Sequence, residues 1–132
     1  MAVLAAPPRH GAAARAIKIS TWNLDWLTAR PQGDPTLPPD LHHRSDAGLR
    51  QLALYATRLN ADIIGFQEVD SPTLAARLFP PNRYHIVMSD DHVVQRVGLA
   101  VAAGLTVTRP PALSALDVYP PDAPHHLRPG LD

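Results

Sequence analysis

The sequence predicts an α/β fold, and three observations carry that prediction. Apolar or alternating runs of strand length recur at 16–23, 62–69, 84–89 and 96–102. Two stretches between them, 45–60 and 71–79, combine helical spacing with residues that cap a helix start. The order is β-α-β-α-β-β without an internal repeat, and LTVTR (105–109) is a candidate further strand.

Residues 1–15, rich in Ala, Pro and Arg, read as a flexible lead-in, and 16–132 as the domain. AIKISTWN (16–23) alternates, with Ile17, Ile19, Thr21 and Asn23 on one face. LTARPQGDPTLPPDL (27–41) holds four prolines and a glycine and reads as a long loop. In SDAGLRQLALYATRLN (45–60), Ser45 or Asp46 can cap the free N–H groups. Leu49, Leu52, Ala56 and Leu59 recur at helical spacing, and Asn60 ends the run. The strand in ADIIGFQEVD (61–70) sends Ile63, Ile64 and Phe66 to a core and finishes on Gln67 and Glu68. A glutamate is costly to bury unless paired or bound to metal. SPTLAARLF (71–79) starts with Ser71 as N-cap and Pro72 at the first helical position, and Pro80-Pro81 halts it. YHIVMS (84–89) and RVGLAVA (96–102) follow as strands, and the proline-rich tail from 110 to 132 has no strong periodicity.

A chain of 132 residues suits one domain. The apolar fraction of 45% is that of a folded protein. Twelve basic and twelve acidic residues cancel, so no global attraction to nucleic acid or anionic membrane is expected. Without cysteine there is no disulfide framework, thiolate metal site or cysteine nucleophile. The start lacks a charged n-region, and the longest mostly apolar run, 97–107, is far below the roughly 20 residues that span a bilayer. By default the chain reads as soluble and cytoplasmic, with no membrane partner.

If the first two strands are parallel neighbours, a right-handed crossover brings both C-terminal ends to one edge of the sheet, where α/β sheets bind ligands. Asn23 and Glu68 stand at those ends. By alternation Asn23 shares a face with Ile17 and Ile19, and Glu68 shares one with Ile64 and Phe66. Both polar groups are thus expected to project from apolar faces at the rim. An amide oxygen and a carboxylate converging there suit a hard cation such as Mg²⁺. The plain alternative makes Asn23 a turn residue and Glu68 a solvated strand end.

ISTWNLDWL followed by ADIIGFQEVD resembles the opening of the endonuclease/exonuclease/phosphatase superfamily, the deoxyribonuclease-like metal-dependent phosphodiesterases. YHIVMSDDHVVQRVGLAV continues the likeness, which runs from about Lys18 to Ala102. It implies a four-layer α-β-β-α sandwich with mixed sheets, of which this chain would be the N-terminal half. It also implies Mg²⁺, or Mn²⁺ or Ca²⁺, as cofactor and a phosphodiester substrate, nucleic acid among the candidates. Glu68 matches the metal-binding glutamate and Asn23 the asparagine that supports the metal and phosphate site. Trp22 matches a structural aromatic, with packing under the helices as its simpler role, and Gln67 stands behind the site at most. Gln95 and Arg96 fall near a segment that contacts phosphate in some members, and a surface strand start is the alternative for both.

The family pattern also includes a Gly-Asp-x-Asn motif and a terminal Asp-His pair, and the chain has neither. GDPT (33–36) ends in Thr and lies in the early loop. SDDH (89–92) precedes a core strand, so Asp90, Asp91 and His92 read as a polar connection. The pairs His42-His43 and His125-His126 lack zinc-site spacing. A carboxylate and an amide without a convincing base or acid lead to the expectation of a truncated phosphodiesterase, a nuclease in complete form and inactive alone. It would be completed by a C-terminal chain. The other reading is a non-catalytic half-domain that binds or complements a partner, and a third is an unrelated α/β domain.

Overall fold

A computed structural model describes residues 15–90 and 93–111. Its elements are β1 (Ile19–Leu27), α1 (Asp46–Leu59), β2 (Ile63–Val69), α2 (Pro72–Leu78), β3 (Tyr84–Met88) and β4 (Arg96–Ala102). The expected order holds, apart from LTVTR, which forms no strand. Leu105 N–H closes a turn on the Ala102 carbonyl, and residues 105–109 then pass beside His85 and Val87 without a ladder. Residues 1–14, Asp91, His92 and 112–132, including His125 and His126, lie outside the described residues.

The caps act as their chemistry predicts. The Ser45 side chain accepts the Gly48 N–H and Ser71 accepts the Leu74 N–H, each satisfying a donor that a helix start leaves free. Asn60 closes α1 in the left-handed region, φ 46°. Arg77 of α2 reaches Asp46 of α1 at 2.7 Å, and that hydrogen bond is the chief reason the Asp46 carboxyl titrates below its ordinary value.

The strands form one mixed sheet in the order β1-β2-β4-β3. β1 and β2 are parallel, joined through α1, while β4 runs antiparallel to both β2 and β3. Ladder partners share a face, so the register sorts the side chains. Trp22, Phe66, Gly98 and Met88 form one row across the sheet on one face; Thr21, Gly65, Leu99 and Val87 form a row on the other. Both helices cover the first face. Leu49 and Ala56 of α1 and Leu74, Ala75 and Leu78 of α2 join Ile64, Phe66, Tyr84 and Met88 in one core. Phe66 stacks on Phe79 at 5.4 Å, and Trp22 meets Phe79 edge-on at 6.5 Å. Trp22 therefore packs under the helices. Gly98 makes room for this: a Cβ there would lie 2.3 Å from the Phe66 ring.

The second face carries no helix among the described residues. Ile17 and Ile19, expected on an apolar face with Asn23, are 53% and 70% exposed. That face is apolar by composition: Val101 is buried on it, Ile63, Val97 and Leu99 are half-buried, and its β1 side is open. No helix among the described residues is long and apolar enough to cross a membrane.

Candidate functional site

The C-terminal ends of β1 and β2 lie together, because the two strands are parallel and Asn23 pairs with Gln67. This pairing corrects the simple face count. Asn23 shares the open face with Gln67, whose Nε2 donates to Thr21 Oγ1 at 3.2 Å. Strict alternation would then send Glu68 to the covered face with Phe66, away from Asn23. The backbone intervenes. Glu68 adopts φ 63°, a conformation that L side chains rarely take, and both ladders shift register between Gln67 and Val69. The bulge swings the Glu68 carboxylate to Asn23 and still lets Val69 bury fully.

β1 is irregular at the same level. Asp25 and Trp26 both have φ 51°, and pairing resumes only at Leu27 with Val69. For this reason β1 extends to Leu27, beyond the expected end at Asn23. Three left-handed non-glycine residues within one strand pair cost on the order of 1–3 kcal/mol each. Such strain persists only where surrounding contacts hold it, and they do so here. Asn23 Nδ2 donates to Glu68 Oε1 at 2.9 Å, and the Trp26 N–H donates to Glu68 Oε2 at 3.1 Å. Asn23 Oδ1 accepts the Asp25 N–H at 2.8 Å. A carboxylate can only accept and an N–H can only donate, so these partners fix the orientation of the Asn23 amide.

Asn23 turns its nitrogen towards Glu68, and its oxygen accepts the Asp25 N–H while keeping a second lone pair. It thereby orients the carboxylate. Glu68 itself fits a Mg²⁺ ligand: each oxygen accepts one hydrogen bond and keeps lone-pair capacity. That ion is commonly held by one or two carboxylates plus water and phosphate oxygens. Among the described residues no group of three or more His, Asp or Glu could hold a metal by itself.

Arg96 opens β4 opposite the bulge, paired with Val69, so it stands at the same end of the sheet as Glu68. Its guanidinium donates to the Ser89 carbonyl, Nε at 2.8 Å, which ties the start of β4 to the end of β3. That contact matches the strand-start alternative. Gln95 precedes it at the same sheet end. Asp90 is exposed and pairs with Arg109 at 2.8 Å, in keeping with a polar connection. Asp34 of GDPT accepts the Thr36 hydroxyl and N–H, which hold its carboxyl below the ordinary value, so it builds a turn and not a site.

Two contributors escape a sequence reading. The Trp26 N–H reaches Glu68 only because two left-handed residues turn it there, and neither Asp25 nor Trp26 announces that conformation. Asp70 Oδ2 accepts Thr28 Oγ1 at 2.6 Å and the Ala29 N–H at 2.9 Å, clasping the chain that leaves β1. Its Oδ1 is buried without a hydrogen-bond partner among the described residues. The acid that follows Gln-Glu-Val was the available signal. Arg44, from the segment before α1, adds a cation 3.4 Å from the exposed Asp25 carboxylate. No protein-family model matches the chain, and neither the curated proteins nor the solved structures include a significant match to it.

Proposed function

We propose that this chain supplies the glutamate and its orienting amide to the phosphodiester-hydrolysing site of an endonuclease/exonuclease/phosphatase-type protein. The observation that supports it best is the left-handed bulge, which carries Glu68 off the helix-covered face to the hydrogen-bond donors at the strand ends. Strained residues of this kind cluster at functional sites, and here the strained carboxylate is held by two donors at the strand ends. On this reading Glu68 is the single protein carboxylate for Mg²⁺ or Mn²⁺. Asn23 Nδ2 and the Trp26 N–H fix its two oxygens so that a lone pair of each faces outward. A bound divalent ion would polarise a phosphoryl oxygen and stabilise charge on it. The groups that activate water and protonate the leaving oxygen come from a further layer over the open face, which becomes the inner face of the four-layer sandwich. The substrate is a phosphodiester, nucleic acid in the first instance.

A Mn²⁺ titration followed by NMR tests the assignment. Paramagnetic broadening centred on Glu68, Asn23 and Trp26 is expected in the native chain, with loss of that broadening in Glu68→Gln. Unchanged broadening in Glu68→Gln would remove the metal role. The chain alone is expected not to hydrolyse DNA with Mg²⁺; hydrolysis that Glu68→Gln abolishes would overturn the division of the site between layers. The open apolar face also favours a second reading, a non-catalytic half-domain that complements a partner. That reading gains if the site binds no divalent ion.

A further inference from the structure

Residues 24–26 form an arch between two points at which β1 pairs with β2. At the first, Asn23 pairs with Gln67 and its Oδ1 accepts the Asp25 N–H. At the second, Leu27 pairs with Val69, and Asp70 adds three hydrogen bonds. Its N–H donates to the Leu27 carbonyl at 3.1 Å, and its Oδ2 accepts Thr28 Oγ1 at 2.6 Å and the Ala29 N–H at 2.9 Å. A hydroxyl this close to a carboxylate oxygen makes one of the stronger hydrogen bonds available to a protein. Arg44 also touches the arch, at the Leu24 carbonyl and the Asp25 carboxylate. It does so through one nitrogen, at 3.5 and 3.4 Å, and the Asp25 side chain is 79% exposed. Exposed pairs of that kind add little. Asp70 is therefore the chief side-chain anchor at the far end of the arch.

Trp26 is the last residue of the arch, and its N–H is one of the two donors that hold Glu68, at 3.1 Å. Asp25 and Trp26 both stand at φ 51°, so no preferred backbone geometry aims that N–H; the anchored ends do. Freed at Thr28 and Ala29, the two residues can return to commoner angles, and the N–H swings away from the carboxylate. We infer that Asp70 is a positioning residue: by gripping Thr28 and Ala29 it aims the Trp26 N–H and so fixes the orientation of the Glu68 carboxylate. Removing a group that orients a metal ligand typically weakens metal binding by about 10- to 100-fold. The effect of Asp70 on metal affinity rests on the reading of Glu68 as a divalent-ion ligand; its effect on the Trp26 amide does not. Asp70 Oδ1 is buried and accepts no hydrogen bond among the described residues. Asparagine can therefore place its nitrogen there and keep the oxygen that grips.

The test measures amide exchange and Mn²⁺ broadening by NMR in the full chain. Asp70→Ala should speed exchange of the Trp26 amide by about tenfold or more, while the amides of Ile64 and Phe66 keep their native rates. It should also raise the Mn²⁺ concentration needed to broaden Glu68 by about tenfold. Thr28→Val removes the hydroxyl and keeps the shape of the side chain, so it should move both readouts the same way by less. It carries the test alone if Asp70→Ala does not fold. Asp70→Asn should bring both readouts back to within about threefold of the native chain, because the gripping oxygen remains. A Trp26 amide that speeds up no more than those of Ile64 and Phe66 would show a merely structural role and overturn the inference. An Asp70→Asn chain as impaired as Asp70→Ala would make the charge, and not the grip, the active feature, and would overturn it too. A native chain without Mn²⁺ broadening removes the metal reading of Glu68, and the Trp26 amide then decides the role of Asp70 by itself.

Discussion

One sheet presents two unlike faces. Under the helices, Ile64, Phe66 and Ala100 are fully buried, whereas on the other face Ile63, Val97 and Leu99 of the same strands are half-buried and Ile19 of the edge strand is 70% exposed. Both faces are built from strand-forming apolar residues, so composition does not separate them; the helices do. A covered face gains roughly 25 cal/mol for each Å² of apolar surface removed from water, and a face left partly in water gains correspondingly less. The contrast teaches that the described residues bury one face of the sheet thoroughly and the other only in part. The functional candidates sit at the rim where the two faces meet.

The contrast can be broken most forcefully from the covered side. Phe66→Ala should cost about 3–5 kcal/mol in denaturant unfolding, because it removes the ring that stacks on Phe79 and fills the space over Gly98. A loss below about 1 kcal/mol would mean that this face is not the core. The next largest effect belongs to the residue that crosses between the faces. Since Glu68 is left-handed, Glu68→Gly should be more stable than Glu68→Ala by about 1 kcal/mol in paired unfolding curves. The reverse order would show a regular strand and no bulge. On the open side, Ile19→Thr should change stability by less than about 0.5 kcal/mol. A core-sized loss there would reveal that the face is covered in solution.

The smallest effect is in acid. Asp46 has its carboxyl lowered chiefly by the hydrogen bond from Arg77, with the charge of the same residue adding to it. A lowered folded value means that the tie between α1 and α2 stabilises the fold above the ordinary carboxyl value of 3.8 and is lost as pH falls through the lower folded value. Arg77→Ala should therefore lower stability slightly above 3.8, converge with the native chain below the lowered folded value, and so flatten the acid limb. A variant with an unaltered acid limb would show that the pair contributes nothing in solution.

Much of the fold was legible because local chemistry decides it. Ser45, Asn60 and the Ser71-Pro72 pair mark helix ends by hydrogen-bonding and dihedral preferences that need no tertiary contact. Asn23 and Glu68 were legible as neighbours, since parallel strands joined by one helix bring their ends together. Their relative faces were not, because alternation assumes a regular strand and Glu68 is neither Gly nor Asn, the residues that advertise a left-handed turn. The same limit hid the last part of β1, where Leu24 and Leu27 are both buried at a spacing of three that reads as loop. LTVTR has strand propensity without a strand partner among the described residues, and propensity without pairing does not make a ladder.

The bulge at Glu68 has one further consequence, for the register of the strand. A regular β2 would place Glu68 beside Phe66 in the core and turn Val69 out onto the open face, two errors from a single slip. Burying an unpaired carboxylate costs several kcal/mol, and exposing a valine forfeits about 1.5 kcal/mol more. Against this, a left-handed glutamate costs about 1–3 kcal/mol. The strained conformation is thus the less costly of the two, and it locks the end of β2: without the bulge, the strand would send a charge into the core and Val69 out of it.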